Sequence, residues 1–151
     1  MTTIAYKDGV IAFDSRVCME RGDITVLDYN KSRKAGGVRF FFAGCLADIE
    51  EFMVFYLSDQ RDDLPCLDCV AFVLDKGRLY LSGVDGDGHL WLDPYQFDQH
   101  AAIGSGGPHA LTAMDLGCDA KTAVKMAMLR DSHTGGRIRT YKIPGYQSKK
   151  R

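Results

Sequence analysis

The stretch that most restricts the fold runs from Thr2 to Arg16. Thr2-Thr3-Ile4-Ala5-Tyr6 is β-prone, Asp8-Gly9 is a two-residue hairpin signal, and Val10-Ile11-Ala12-Phe13 reads as a returning buried strand ending at Asp14-Ser15-Arg16. Asp and Gly both accept the positive φ angles that so tight a turn needs. The hairpin therefore brings Asp14 back toward Thr2, where a carboxylate can hold a cation. Thr2 itself stands directly behind Met1. If Met1 is removed, Thr2 carries a hydroxyl and a free α-amine on neighbouring atoms, a nucleophile with its own base. The amine suits that task, because an unperturbed α-amino pKa of about 7.7–8.0 lies near working pH. Taken alone, the Met-Thr-Thr start is merely a common way to begin a strand.

Beyond the hairpin, Ile24 to Leu27 is a second β-prone run that ends near Asn30-Lys31. Lys31 can then meet Asp14 at neighbouring strand ends, or lie in an exposed basic cluster with Arg33 and Lys34. Val38 to Ala43 is a compact strand candidate running into Gly44, after which Ile49, Phe52, Met53, Tyr56 and Leu57 recur at helical spacing. Gly44 sits where strand gives way to helix. Its backbone N–H can face an oxyanion, or the glycine simply permits the turn. Asp59 to Asp68, with Pro65 in its middle, cannot hold a long helix. Val70 to Leu74, Arg78 to Ser82 and His89 to Leu92 then read as a meander.

Asp85-Gly86-Asp87-Gly88 hints at a calcium loop, but Gln96 stands where a bidentate glutamate belongs, so a Gly-rich turn is expected and no metal. Cys66 and Cys69 form a lone C-x-x-C without a second pair, and are read as structural thiols. Gly104-Ser105-Gly106-Gly107 followed by Pro108 opens a helix, and without the Gly-Lys-Ser/Thr ending it is not a nucleotide loop. Two helices should follow, one ending near Gly117 and one N-capped by Asp119, with Ala120, Ala123, Val124, Ala127 and Met128 as a small-residue stripe. Ile138 to Ile143 closes a sheet, and residues 144–151 are expected to be a mobile tail.

The chain has 151 residues, of which 46% are hydrophobic, so one domain spanning residues 1–143 can bury a substantial core. With 19 basic and 20 acidic residues and a net charge of −1, no electropositive field for nucleic acid is implied. No apolar run reaches the length of a membrane span, and no charged-then-apolar segment opens the chain, so no membrane partner and a cytoplasmic location are expected. Five cysteines without framework spacing fit a reducing compartment.

Five motifs in order across nearly the whole chain carry a resemblance: TTIAYKDGVIAFDSR, YNKSRK, FAGCLAD, AIGSGG and RDSHTGG. The sequence resembles the β subunits of the proteasome and their bacterial ring-peptidase relatives, within the N-terminal-nucleophile hydrolases. The resemblance implies an α+β, four-layer αββα sandwich, with its helical layer shortened here between Ser58 and Cys69. It implies a threonine peptidase in which Thr2 is the nucleophile, Asp14 and Lys31 the supporting ion pair, and Gly44 the oxyanion donor. Ser105, Asp131 and Thr134 match the polar cluster that supports the amine, with Thr134 where serine is more usual. By the same placement Val17, Phe42 and Leu46 line the pocket for the residue before the scissile bond. The implied partners are a peptide or unfolded protein substrate and further copies of the chain in a ring, with no cofactor. An ATPase or cap partner is left undecided, since the shortened helical layer contributes to that docking face. Two other readings share the fold: an amidohydrolase acting on a small amide, and a catalytically silent assembly protein.

Overall fold

A computed structural model describes residues 2–96 and 98–147. The chain divides into two compact units, one formed by the residues up to Lys31 together with those from Gln96 onward, the other by Ser32–Tyr95.

The first unit is built on the hairpin. Strands β1 (Ile4–Lys7) and β2 (Val10–Phe13) pair with Ile4 opposite Phe13 and Lys7 opposite Val10. The turn residues Asp8 and Gly9 both have positive φ, at 49° and 76°. Two short strands, β3 (Val17–Cys18) and β4 (Ile24–Val26), pair with each other on the way to Lys31. In the second unit β5 (Ser32–Ala35), β6 (Val38–Gly44), β7 (Cys69–Asp75), β8 (Arg78–Val84) and β9 (Leu90–Pro94) form an antiparallel sheet in that order. The chain then returns to the first unit through β10 (Ala101–Ile103) and ends its sheet with β11 (Arg139–Lys142), giving the order β10-β1-β2-β11.

Helices back each sheet. In the first unit α2 (Gly107–Asp115) and α3 (Ala120–Ala127) pack on β1 and β2 through alanines: Ala5 and Ala12 from the sheet meet Ala110, Ala113, Ala120, Ala123 and Ala127. Side chains this small let helix backbones approach the sheet closely, and a larger residue at a fully buried position such as Ala123 would overpack it. Lys7 donates to the carbonyls of Met114 and Cys118 at 2.9 Å each, closing the C-terminal end of α2. Asp119 accepts from the Thr122 N–H at 2.7 Å, the N-cap the sequence predicts.

In the second unit α1 (Ile49–Ser58) follows a short 3-10 turn at Leu46–Asp48 and lays Phe52 and Tyr56 on Phe40 and Phe42. Phe40 and Phe42 stack at 5.6 Å, and Phe52 meets Phe42 edge-on at 5.6 Å. Between Ser58 and Cys69 no helix occurs among the described residues, and Asp59 ends α1 in the left-handed conformation. This is the shortened helical layer expected from Pro65.

Three strands were not foreseen. β5 lies in the stretch holding the basic residues Arg33 and Lys34, and a Gly36-Gly37 turn joins it to β6; β3 is only two residues long and β10 only three, below the length at which a pattern shows. Of the segment expected as a tail, residues 144–147 are described, and the Tyr146 ring lies directly over Gly9, within 2.2 Å of where a Cβ would stand; residues 148–151 lie outside the described residues. Among the described residues no helix is long and apolar enough to cross a membrane.

Candidate active site

Asp14 leaves β2 opposite the start of β1, and the two segments are locked by a reciprocal pair. The Thr3 N–H donates to Asp14 Oδ1 at 3.0 Å, and the Asp14 N–H donates to the Thr3 carbonyl at 3.2 Å. Lys31 Nζ lies 2.7 Å from the same Oδ1, and the Gly135 N–H donates to Oδ2 at 2.9 Å. Both charged groups are buried, Asp14 at 0% and Lys31 at 2% exposure. Of the two placements the sequence allows for Lys31, the buried pair is the one realised. Burial pushes the Lys31 ammonium below its ordinary pKa of 10.5, and the adjoining Asp14 carboxylate opposes that shift. A buried ion pair is weak evidence for stability, since desolvation offsets most of its attraction. It is better evidence for a functional site.

A second carboxylate gathers the hydroxyls. Asp131 follows the end of α3, and its Oδ2 accepts from Ser105 Oγ at 2.6 Å and from Thr134 Oγ1 at 2.5 Å. The His133 N–H donates to Oδ1 at 3.1 Å. Burial raises the Asp131 pKa, but these hydrogen bonds outweigh it and hold the carboxyl below its ordinary 3.8. Ser105 is placed by Gly104, whose φ of 90° turns the chain from β10 toward α2.

The Gly135-Gly136 pair explains how this loop reaches Asp14. The Gly135 carbonyl accepts from the N–H groups of Ser15 and Arg16 at 3.1 and 2.9 Å. A Cβ at Gly135 would stand 2.3 Å from the Arg16 guanidinium carbon, and one at Gly136 would stand 2.4 Å from the Leu27 carbonyl. At Gly136 backbone lies on backbone and only glycine leaves the room, while Gly135 is covered by the Arg16 side chain.

Thr2 is buried at 4% exposure, immediately before the pinned Thr3 amide. Of the residues selected from sequence, Asp14, Lys31, Ser105, Asp131 and Thr134 thus fall into one network next to Thr2. Val17 is half-buried in β3, and its carbonyl accepts from Thr25.

Gly44, Phe42 and Leu46 belong to the second unit. Gly44 ends β6 with φ of 120°, and a Cβ there would stand 2.2 Å from the Asp68 carbonyl oxygen, so the backbone requires glycine whatever else it does. Leu46 is 37% exposed. Phe42 does not match its expected place in a substrate pocket: it is 2% exposed, and its ring is packed on Phe40 and Phe52. Alternation along β6 puts residues 40 and 42 on the face that α1 covers. Among the described residues, Asp85, Asp87 and His89 are grouped closely enough to hold a cation. All three are exposed, and Asp85 already accepts from the Asp87 and His89 N–H groups, the Gly-rich turn expected there.

No family model matches the chain, and neither does any curated protein. Solved structures do. A eukaryotic HslV from Trypanosoma brucei superposes with a TM-score of 0.68 over 93% of this chain and 97% of that one, at 20% identity. Thiobacillus denitrificans BPH in complex with epoxomicin superposes with a TM-score of 0.64 over 94% and 98%, at 18% identity. The chain has the proteasome-like fold of the N-terminal-nucleophile hydrolases. At this identity the likeness concerns the fold, and the chemistry rests on the residues.

Proposed function

We propose that the protein is a threonine peptidase of the proteasome-like family, with Thr2 as nucleophile once Met1 has been removed. The observation that carries this reading is the buried Asp14–Lys31 pair, which is bonded to the very amide that follows Thr2. In the proposed reaction the Thr2 hydroxyl oxygen bonds to the scissile carbonyl carbon while its proton passes to the Thr2 α-amine. The amine returns that proton to the departing peptide nitrogen, and a water then cleaves the ester by the same route. The Lys31 charge disfavours protonation of the amine and stabilises the developing negative charge, while Asp14 holds the ammonium in place.

Gly44 is assigned the oxyanion contact, and Ser105, Asp131 and Thr134 the support of the amine. Val17 and Leu46 remain the candidates for lining the substrate pocket, whereas Phe42 is packed in the core of the second unit. The two helix-backed sheets are assigned to the αββα sandwich as one catalytic domain over residues 1–143, in a cytoplasmic homo-oligomeric ring whose substrate is a peptide or unfolded chain.

The test is the intact mass of the purified protein before and after incubation with epoxomicin, the molecule held by the neighbouring BPH structure. Loss of the Met1 mass and one adduct, absent from Thr2→Ala, is the expected outcome. A protein that keeps Met1 and takes no adduct would overturn the reading in favour of a silent assembly protein. Hydrolysis of small amides with no cleavage of peptides would favour the amidohydrolase instead.

A further inference from the structure

Thr3 has no part in the mechanism above, yet it is the joint of the whole network. It is fully buried, and all three of its polar groups are engaged. Its N–H donates to Asp14 Oδ1 and its carbonyl accepts from the Asp14 N–H. Its hydroxyl lies 2.6 Å from Thr134 Oγ1. Thr134 has one hydroxyl proton, and that proton is given to Asp131. Thr3 must therefore donate to Thr134. A continuous chain results, from Lys31 through Asp14 and Thr3 to Thr134, Asp131 and Ser105.

Gly106 leaves the space for it: a Cβ there would stand 2.1 Å from Thr3 Oγ1 and 2.8 Å from Thr134 Oγ1. A backbone kept bare at the meeting point of two hydroxyls marks a built contact. Valine would fill the same volume and suit the strand as well, so shape alone does not call for threonine.

We propose that the Thr3 hydroxyl is a positioning group that ties the Asp14–Lys31 pair to the Ser105–Asp131–Thr134 cluster, and so fixes the neighbouring Thr2 amine and hydroxyl in their attacking geometry. The inference rests on the peptidase reading. Thr3 does not touch the reacting atoms. It acts through the backbone it shares with Thr2 and through the donor order of the hydroxyl chain, in which each bond polarises the next.

The test is steady-state kinetics on a fluorogenic peptide, with the rate of epoxomicin adduct formation, for the wild type, Thr3→Val and Thr3→Ser. Misplacement of a reacting group should lower kcat of Thr3→Val about 10- to 100-fold with KM unchanged, and Thr3→Ser should restore it to within about threefold. Wild-type kcat in Thr3→Val overturns the inference, and so does an equal loss in Thr3→Ser, which would mean that the methyl and not the hydroxyl matters. Should Thr3→Val not fold, Thr3→Ala, which keeps both backbone hydrogen bonds and adds no bulk, is read against Thr3→Ser by adduct rate on the same terms. A wild type with neither turnover nor adduct overturns the peptidase reading and this inference with it, whereas an active wild type with an unaffected Thr3→Val overturns the inference alone.

Discussion

The Asp14–Lys31 pair can be tested as a unit by a double-mutant cycle of Asp14→Asn and Lys31→Met. Lys31→Met leaves the fully buried Asp14 carboxylate with only the Thr3 and Gly135 N–H donors, 3.0 and 2.9 Å away. Asp14→Asn leaves the Lys31 ammonium, 2% exposed, facing a neutral amide, and its NH2 group must turn toward one of the donors Asp14 now satisfies. Removing one partner of a buried pair costs about 3–5 kcal/mol because a charge is left uncompensated. The two backbone donors put Lys31→Met at the lower end, about 3 kcal/mol. For a chain of this length each kcal/mol shifts Tm by about 2–4 °C, so Lys31→Met should melt roughly 6–12 °C lower. The double variant removes both charges together and should cost little more than either single change, with a coupling of at least about 2 kcal/mol. Urea unfolding of the four proteins measures the cycle, and peptide cleavage should be lost in all three variants. Costs that add to within about 0.5 kcal/mol would refute the reasoning, since the groups would then be acting separately. The pH dependence carries a sign as well. The folded Lys31 pKa lies below its ordinary 10.5, so the unfolded chain binds the proton more tightly, and wild-type stability should rise as pH climbs between those two values. Lys31→Met should lose that rise.

Two further outcomes follow from the geometry. Asp131, held below its ordinary pKa of 3.8, contributes stability that is present above that value and lost as pH falls through its folded pKa; thermal melts of the wild type and Asp131→Asn should therefore converge in acid and separate above it. Gly44→Ala must place a Cβ 2.2 Å from the Asp68 carbonyl at a φ of 120°, and should lose at least about 2 kcal/mol in urea unfolding, whether or not it touches substrate.

What the sequence could disclose was whatever is encoded locally. The Asp8-Gly9 turn, the compact apolar run from Val38 to Ala43, the α1 periodicity, the Asp119 cap and the stop imposed around Pro65 each depend on residues within a few positions of one another, and each was legible. β5 was hidden because Ser32–Ala35 is strongly polar and becomes a strand only by pairing with β6, a condition no local propensity states. The site divides along the same line. Asp14 and Lys31 were candidates because the strands that end at them place them, and the resemblance supplied their roles. Phe42 was misplaced as a pocket residue because its motif fixes where the backbone runs, whereas α1 decides which face of the strand is filled by core.

Thr3 escaped notice for a different reason. In sequence it is one more β-branched residue in a strand, and what sets its side chain apart is its contacts with Thr134 and Gly106, more than a hundred positions away. In sequence Gly106 belongs to a glycine-rich turn into a helix, where conformational freedom is reason enough for it. The structure gives it another reason: it stands at a φ of −85°, which any residue adopts, so what the position demands is space. A glycine with an ordinary backbone, set against two buried hydroxyls, is kept for the contact it leaves open. On that argument Gly106 and Thr3 are two halves of one device, and the hydroxyl chain from Lys31 to Ser105 is only as continuous as the bare backbone beside it allows.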